Sequence, residues 1–65
     1  MATVNGKSMY IQEPVTINEL VDQLGVNATH MAVEVNGQLV SRESYGTTKV
    51  DNDAIVEIIT LAGGG

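Results

Sequence analysis

The run "VTINELVDQLG", residues 15–25, carries the one convincing helical pattern in the chain. Ile17, Leu20, Val21 and Leu24 fall at i, i+3, i+4 and i+7, which places them on one apolar stripe. Thr16 followed three residues later by Glu19 fits a capping box, and Gly25 suits the C-terminal stop. Everything on either side has the spacing of strands and turns.

Upstream, "ATVNGKSMYIQ" (2–12) has the form of a β-hairpin turning at Asn5-Gly6, a pair that tolerates positive φ. Val4, Met9 and Ile11 are its inward residues, and Pro14 ends the second strand. Downstream, "MAVEVNGQLV" (31–40) alternates, with Met31, Val33 and Val35 set against Ala32 and Glu34. Asn36-Gly37 is a second turn of the same kind, and Leu39-Val40 begins the return strand. "SRESYG" (41–46) fits one turn of helix capped by Ser41, with Tyr45 a packing aromatic whose hydroxyl is at the surface. "TTKV" (47–50) reads as a brief extended piece and "DND" (51–53) as a turn. "AIVEIITLA" (54–62) is the longest apolar stretch, and its β-branched content makes it a strand. Val56 and Ile58 face one way there, and Ile55, Glu57 and Ile59 the other.

This order predicts an α+β fold: a mixed four- to five-stranded sheet with one main helix across one face. The first and last strands pair in parallel at its centre. The acid-rich opposite face is solvated or offered to a partner. Residues 1–61 are expected to form a single domain, with 62–65 a flexible Gly-rich tail.

Composition narrows function. The chain has 65 residues, no Cys, no Phe and no Trp, so its core is aliphatic and neither disulfides nor thiolate metal sites are available. Eight acidic residues against three basic ones, a formal charge of −5, argue against nucleic acid and against an anionic membrane surface. A basic protein partner is favoured through faster encounter. No secretory signal or membrane-length apolar run is visible, which suggests a cytoplasmic protein. His30 is alone, so it builds neither a metal site nor a nucleophile–base pair. A calcium loop beginning at Asp51 would need Gly at its sixth position and Glu at its twelfth; Val56 and Ala62 stand there.

The chain closes on "LAGGG" (61–65), and glycine loses the most conformational freedom on ordering. Such an end is a frayed terminus, an expression remnant or the working part. Taken together, the "VNGK" hairpin leading into "TINELVDQLG", the "MAVEVNGQLVSRESY" stretch, the "DNDAIVEI" turn and strand, and the terminal Gly-Gly resemble the ThiS family of sulfur carriers. That resemblance spans essentially the whole chain. Three positions depart from the family pattern: Ser41 where Pro is usual, Tyr45 where Trp is usual and Asn52 where Gly is usual.

The resemblance implies a β-grasp (ubiquitin-like) fold and a carrier that catalyses nothing and binds no cofactor itself. Gly65 would be adenylated by an ATP-using, ubiquitin-activating-like adenylyltransferase of ThiF type and converted to a thiocarboxylate with sulfur from a persulfide donor. The sulfur would then pass to a thiazole synthase of ThiG type in thiamine biosynthesis. Gly63 and Gly64 would enter the partner's active site, since residues without Cβ thread narrow channels. Ile59, Leu61, Arg42 and Glu57 are the candidate partner surface, with Arg42 pairing a carboxylate or holding the turn. A carrier for another pathway, such as a molybdopterin or amino-acid type, a ubiquitin-like protein modifier and a plain interaction module remain open on the sequence.

Overall fold

The structure, a computed structural model, describes residues 1–26 and 28–60. Its first strands, β1 (Ala2–Val4) and β2 (Lys7–Met9), form the expected hairpin. Next come β3 (Val15–Thr16) and the helix α1 (Ile17–Leu24). A second hairpin joins β4 (Met31–Val35) to β5 (Gln38–Val40). After it follow a 3₁₀ turn at Arg42–Ser44, β6 (Lys49–Val50) and the long β7 (Ile55–Thr60).

Five strands form one mixed sheet in the order β2-β1-β7-β4-β5. The last strand is therefore central, parallel to β1 and antiparallel to β4. This is the β-grasp arrangement. A second, two-stranded sheet, β3 with β6, lies outside the expectation. Two-residue strands are too short to show a period, so only the folded chain reveals that Val15 faces Val50.

Both hairpins turn where expected. Asn5 and Gly6 have φ of 50° and 81°, and Asn36 and Gly37 have 52° and 83°. Two successive positive φ values match the right-handed twist of the flanking strands, and Asn-Gly is the pair that adopts them most readily. The helix also begins and ends as its sequence prescribes. The Glu19 N–H donates to Thr16 Oγ1 at 3.1 Å, and the Thr16 N–H donates to Glu19 Oε1 at 2.8 Å. Two further N-terminal donors are met by the segment before β6: Ile17 N–H to the Thr48 carbonyl and Asn18 N–H to the Tyr45 carbonyl, both 3.1 Å.

Ile17, Leu20 and Val21 pack in one buried cluster with Ala2, Val4, Met31, Val33, Val56 and Ile58. Ile11, Tyr45, Val50 and Ala54 belong to the same cluster. Tyr45 is the buried aromatic, whereas Tyr10 is exposed. Leu24 departs from its stripe. It is 40% exposed and lines an open groove of about 530 Å³ with Val4, Met9, Val26 and Lys7.

The second strand also ends earlier than expected, at Met9 instead of running on to Pro14. Ile11 is held by a side chain in place of a strand. Its N–H donates to Asn52 Oδ1 at 2.7 Å, and Asn52 Nδ2 donates back to the Ile11 carbonyl at 2.6 Å. A primary amide presents the same donor–acceptor pair as a backbone peptide, so Asn52 substitutes for a missing strand partner. Glycine at this position has no side chain to do so, which gives this departure from the family pattern a structural reason.

Candidate functional site

The glycines expected to carry the chemistry, Gly63, Gly64 and Gly65, and the neighbouring Leu61 lie outside the described residues. What the structure places is the strand that leads to them. β7 is bonded on both flanks, and both hairpin asparagines brace it. On the β1 side, the Asn5 N–H donates to the Val56 carbonyl at 2.9 Å, and the Ile58 N–H donates to Asn5 Oδ1 at 2.7 Å. On the β4 side, the Asn36 N–H donates to the Ile55 carbonyl at 2.7 Å, and the Ile55 N–H donates to Asn36 Oδ1 at 2.9 Å. Each asparagine thus extends the ladder past the point where its own strand turns away. The strand feeding the chain end is held over its length by backbone and side-chain hydrogen bonds.

The face of the sheet away from α1 is open. On it β7 presents Ile55, Glu57 and Ile59, β4 presents Ala32 and Glu34, and β5 presents Leu39. Leu39, Ile55 and Ile59 are 71%, 54% and 48% exposed. Across the strands Ile59 faces Ala32, Glu57 faces Glu34, and Glu34 in turn faces Leu39. Ile59 and Glu57 of the expected partner surface therefore share one face.

Arg42 sits beyond the end of β5, alongside the start of β4, where Met31 faces Thr60. Its Nη2 donates to the Thr29 backbone carbonyl at 3.0 Å. That bond ties the segment after β5 to the segment before β4. The residue is exposed.

The electrostatics of the described residues offer no catalytic constellation. No group of three or more His, Cys, Asp or Glu that could hold a metal occurs among them, and His30 is exposed. The "DND" segment is a turn, with the Asp53 N–H donating to Asp51 Oδ1 at 2.9 Å. One carboxyl is held below the ordinary glutamate range, that of Glu19, chiefly by hydrogen bonds from the Thr16 backbone and side chain. That shift belongs to the helix cap.

Sequence reasoning saw Asn5 and Asn36 as turn residues and missed their bond to β7, which no local signal carries. It also missed the pairing of Glu34 with Glu57. Alternation placed both on one face, but their direct opposition follows from the register of strands separated by a hairpin and two turns.

The same arrangement recurs in known proteins. A family model described as ThiS family matches residues 2–65. A crystal structure of the thiamine biosynthesis protein ThiS from Geobacter metallireducens superposes with a TM-score of 0.85 at 36% identity, covering 98% of this chain and 97% of that one. A solution structure of a thiamine biosynthesis protein from the same organism gives 0.78 at 33% identity, with 98% and 86% covered. Among curated relatives, an uncharacterized protein, ycf40, of Porphyra purpurea is 32% identical over 62 residues, 95% of this chain and 87% of that protein. A thiazole synthase of Paramagnetospirillum magneticum is likewise 32% identical over 62 residues, but the match spans only 19% of that enzyme. The chain belongs to the ThiS family of sulfur carrier proteins.

Proposed function

We propose that this chain carries sulfur for thiazole formation in thiamine biosynthesis, as a thiocarboxylate on Gly65. The observation that carries the reading is the family match, which runs through residue 65 on a chain whose central strand leads directly to the glycines. The similarity to a segment of a thiazole synthase supports the thiazole pathway over the other sulfur-transfer pathways.

The chemistry needs an activating partner. A carboxylate is a poor electrophile, because nucleophilic attack would have to expel oxide. Transfer of AMP from ATP to the Gly65 carboxylate, with loss of pyrophosphate, supplies a good leaving group. A persulfide sulfur then attacks the carbonyl and expels AMP, and a thiol cleaves the S–S bond to leave the thiocarboxylate. ATP is bound by the activating enzyme, a ThiF-type adenylyltransferase, and the acceptor is a ThiG-type thiazole synthase. In this reading the chain is a co-substrate, and its partner enzymes supply the acids, bases and nucleophiles.

Its contribution is presentation. Five residues, if fully extended, would span up to about 17 Å, enough to bring Gly65 into a recessed site. In such a site Gly63 and Gly64 would pass where side chains clash. Ile59, Glu57 and Arg42 are the described residues offered in this reading as the surface that meets the partner; Leu61, also expected there, lies outside the described residues. No helix among the described residues is long and apolar enough to cross a membrane, and a reaction driven by ATP suits the cytoplasm.

The test is intact mass after incubation with ATP, a ThiF-type enzyme and a sulfur source. A sulfur-for-oxygen exchange localised to Gly65 is the expected result. An unchanged mass across several active cognate enzymes would overturn the reading. Adducts on target lysines instead would identify a protein modifier.

A further inference from the structure

The two hairpin asparagines repeat one device at opposite ends of β7. In a parallel ladder, a residue whose N–H bonds one carbonyl offers its own carbonyl to the N–H two residues further along the partner strand. The Asn5 N–H bonds the Val56 carbonyl at 2.9 Å, so the next rung falls to the Asn5 carbonyl and the Ile58 N–H. With φ of 50°, however, Asn5 has left the extended conformation, and its side-chain Oδ1 accepts from the Ile58 N–H instead, at 2.7 Å. Asn36, with φ of 52°, does the same on the antiparallel flank, where a bonded pair exchanges both N–H···O bonds. Its N–H reaches the Ile55 carbonyl, and its Oδ1 replaces its own carbonyl in accepting from the Ile55 N–H. Residue, turn and bond are alike; only position differs.

Asn36 acts where β7 begins, and Asn5 where it nears its end. The β4 flank is paired as far as Met31 with Thr60, whereas the β1 register stops at Val4 with Val56. The Asn5 side chain alone carries the ladder on from there to Ile58. A strand held along one edge can swing about that edge, and a rung on the other edge removes the freedom. Gly63, Gly64 and Gly65 offer an enzyme no side chain to grip. The line on which they approach an active site therefore depends on the strand that bears them.

We propose that Asn5 is a positioning residue for the chemistry at Gly65, whereas Asn36, its structural twin, serves the fold alone. This role rests on the carrier reading. Adenylation requires a carboxylate oxygen in line with the α-phosphorus of ATP, where the new P–O bond forms as pyrophosphate leaves. Small misplacements of reacting atoms are costly in such a step. Loss of the Ile58 rung widens the range of directions in which the chain leaves the sheet, so fewer bound complexes are productive. The surface that docks is unchanged. The loss therefore falls on kcat and not on KM.

The matched pair supplies its own control. Asn5→Gly and Asn36→Gly each delete the acceptor while keeping a residue that tolerates positive φ. Both should melt below the parent by similar amounts, with amide exchange faster at Ile58 in the first and at Ile55 in the second. Adenylation is followed as ATP–pyrophosphate exchange with a purified ThiF-type adenylyltransferase. Asn5→Gly should show kcat about three- to tenfold lower at unchanged KM, and Asn36→Gly the parent values. Asn5→Asp keeps the acceptor and should restore the parent kcat. A synthetic chain with an ester in place of the Ile58 amide removes the donor instead, and should repeat the loss even where Asn5→Gly does not fold. Parent-like kcat in Asn5→Gly, an equal loss in Asn36→Gly, or a loss confined to KM would overturn the positioning role and leave the carrier reading intact. A parent chain that supports no exchange would overturn the carrier reading, and this role with it.

Discussion

One face of the five-stranded sheet carries Val4, Met31, Val33, Val56 and Ile58 against α1, all of them buried. The other carries Ile55, Ile59 and Leu39, each about half exposed or more, around the facing carboxylates of Glu34 and Glu57. The same strands build both faces, because successive side chains point to opposite sides. The closed face concentrates the area whose burial drives folding. The open one retains apolar area and like-charge repulsion that folding does not use. In a small domain, which buries only about 60% of its chain's surface, such a division leaves apolar area outside the core.

The contrast breaks most clearly at Leu20, fully buried at the centre of α1. Leu20→Ala should cost about 2–5 kcal/mol by urea denaturation, much of the stability available to a domain of this size. A cost below 1 kcal/mol would show that the helix face is not the source of stability.

Next in size is the Asn52 clamp. Asn52→Gly restores the residue usual in the family but leaves the Ile11 N–H and carbonyl without their partner. A loss of about 1–3 kcal/mol is expected, with conversion at Gly65 unchanged. Asn52→Asp keeps the acceptor and loses the donor, and should fall between the two.

The helix cap comes third. Thr16→Ala should cost about 1 kcal/mol. Because the cap lowers the Glu19 carboxyl below its ordinary value of 4.5, the stabilisation it brings is present above that value and is lost as pH falls through the lower folded one. Thermal melts of the parent should therefore drop more steeply below pH 4.5 than those of Glu19→Gln. Parallel curves would remove the cap's contribution.

The smallest effect on stability sharpens the comparison from the other side. Ile59→Ser should change the unfolding free energy by no more than about 0.5 kcal/mol, since the side chain is half exposed. Affinity for the enzyme that docks on this face should nonetheless fall. A destabilisation as large as that of Leu20→Ala would mean that the two faces are not divided as described.

Much of this architecture is legible along the chain because the signals are local. The helix runs from Ile17 to Leu24 between its two caps, since Thr16, Glu19 and Gly25 specify ends that depend on neighbours within one turn. The Asn-Gly pairs set both hairpins because the φ values they adopt are properties of those residues. Alternation assigned Ile55, Glu57 and Ile59 to one face for the same reason. Parity along a strand is settled before any partner is known.

What lies beyond that reach depends on contacts between distant positions. No periodicity in two residues announces that β3 pairs with β6, or that Leu24 leaves the core at the end of its stripe. Asn52 meets Ile11 across 41 positions and Asn5 meets Ile58 across 53, so both side chains look like ordinary turn residues until the sheet assembles. The opposition of Glu34 and Glu57 likewise exists only in the register of β4 against β7. Residue chemistry and spacing determined the helix, the turns, the side of the sheet on which each strand residue falls and the resemblance to a sulfur carrier. Strand order and register, which depend on how the whole core packs, decided which of those residues brace the central strand and which confront one another on the open face.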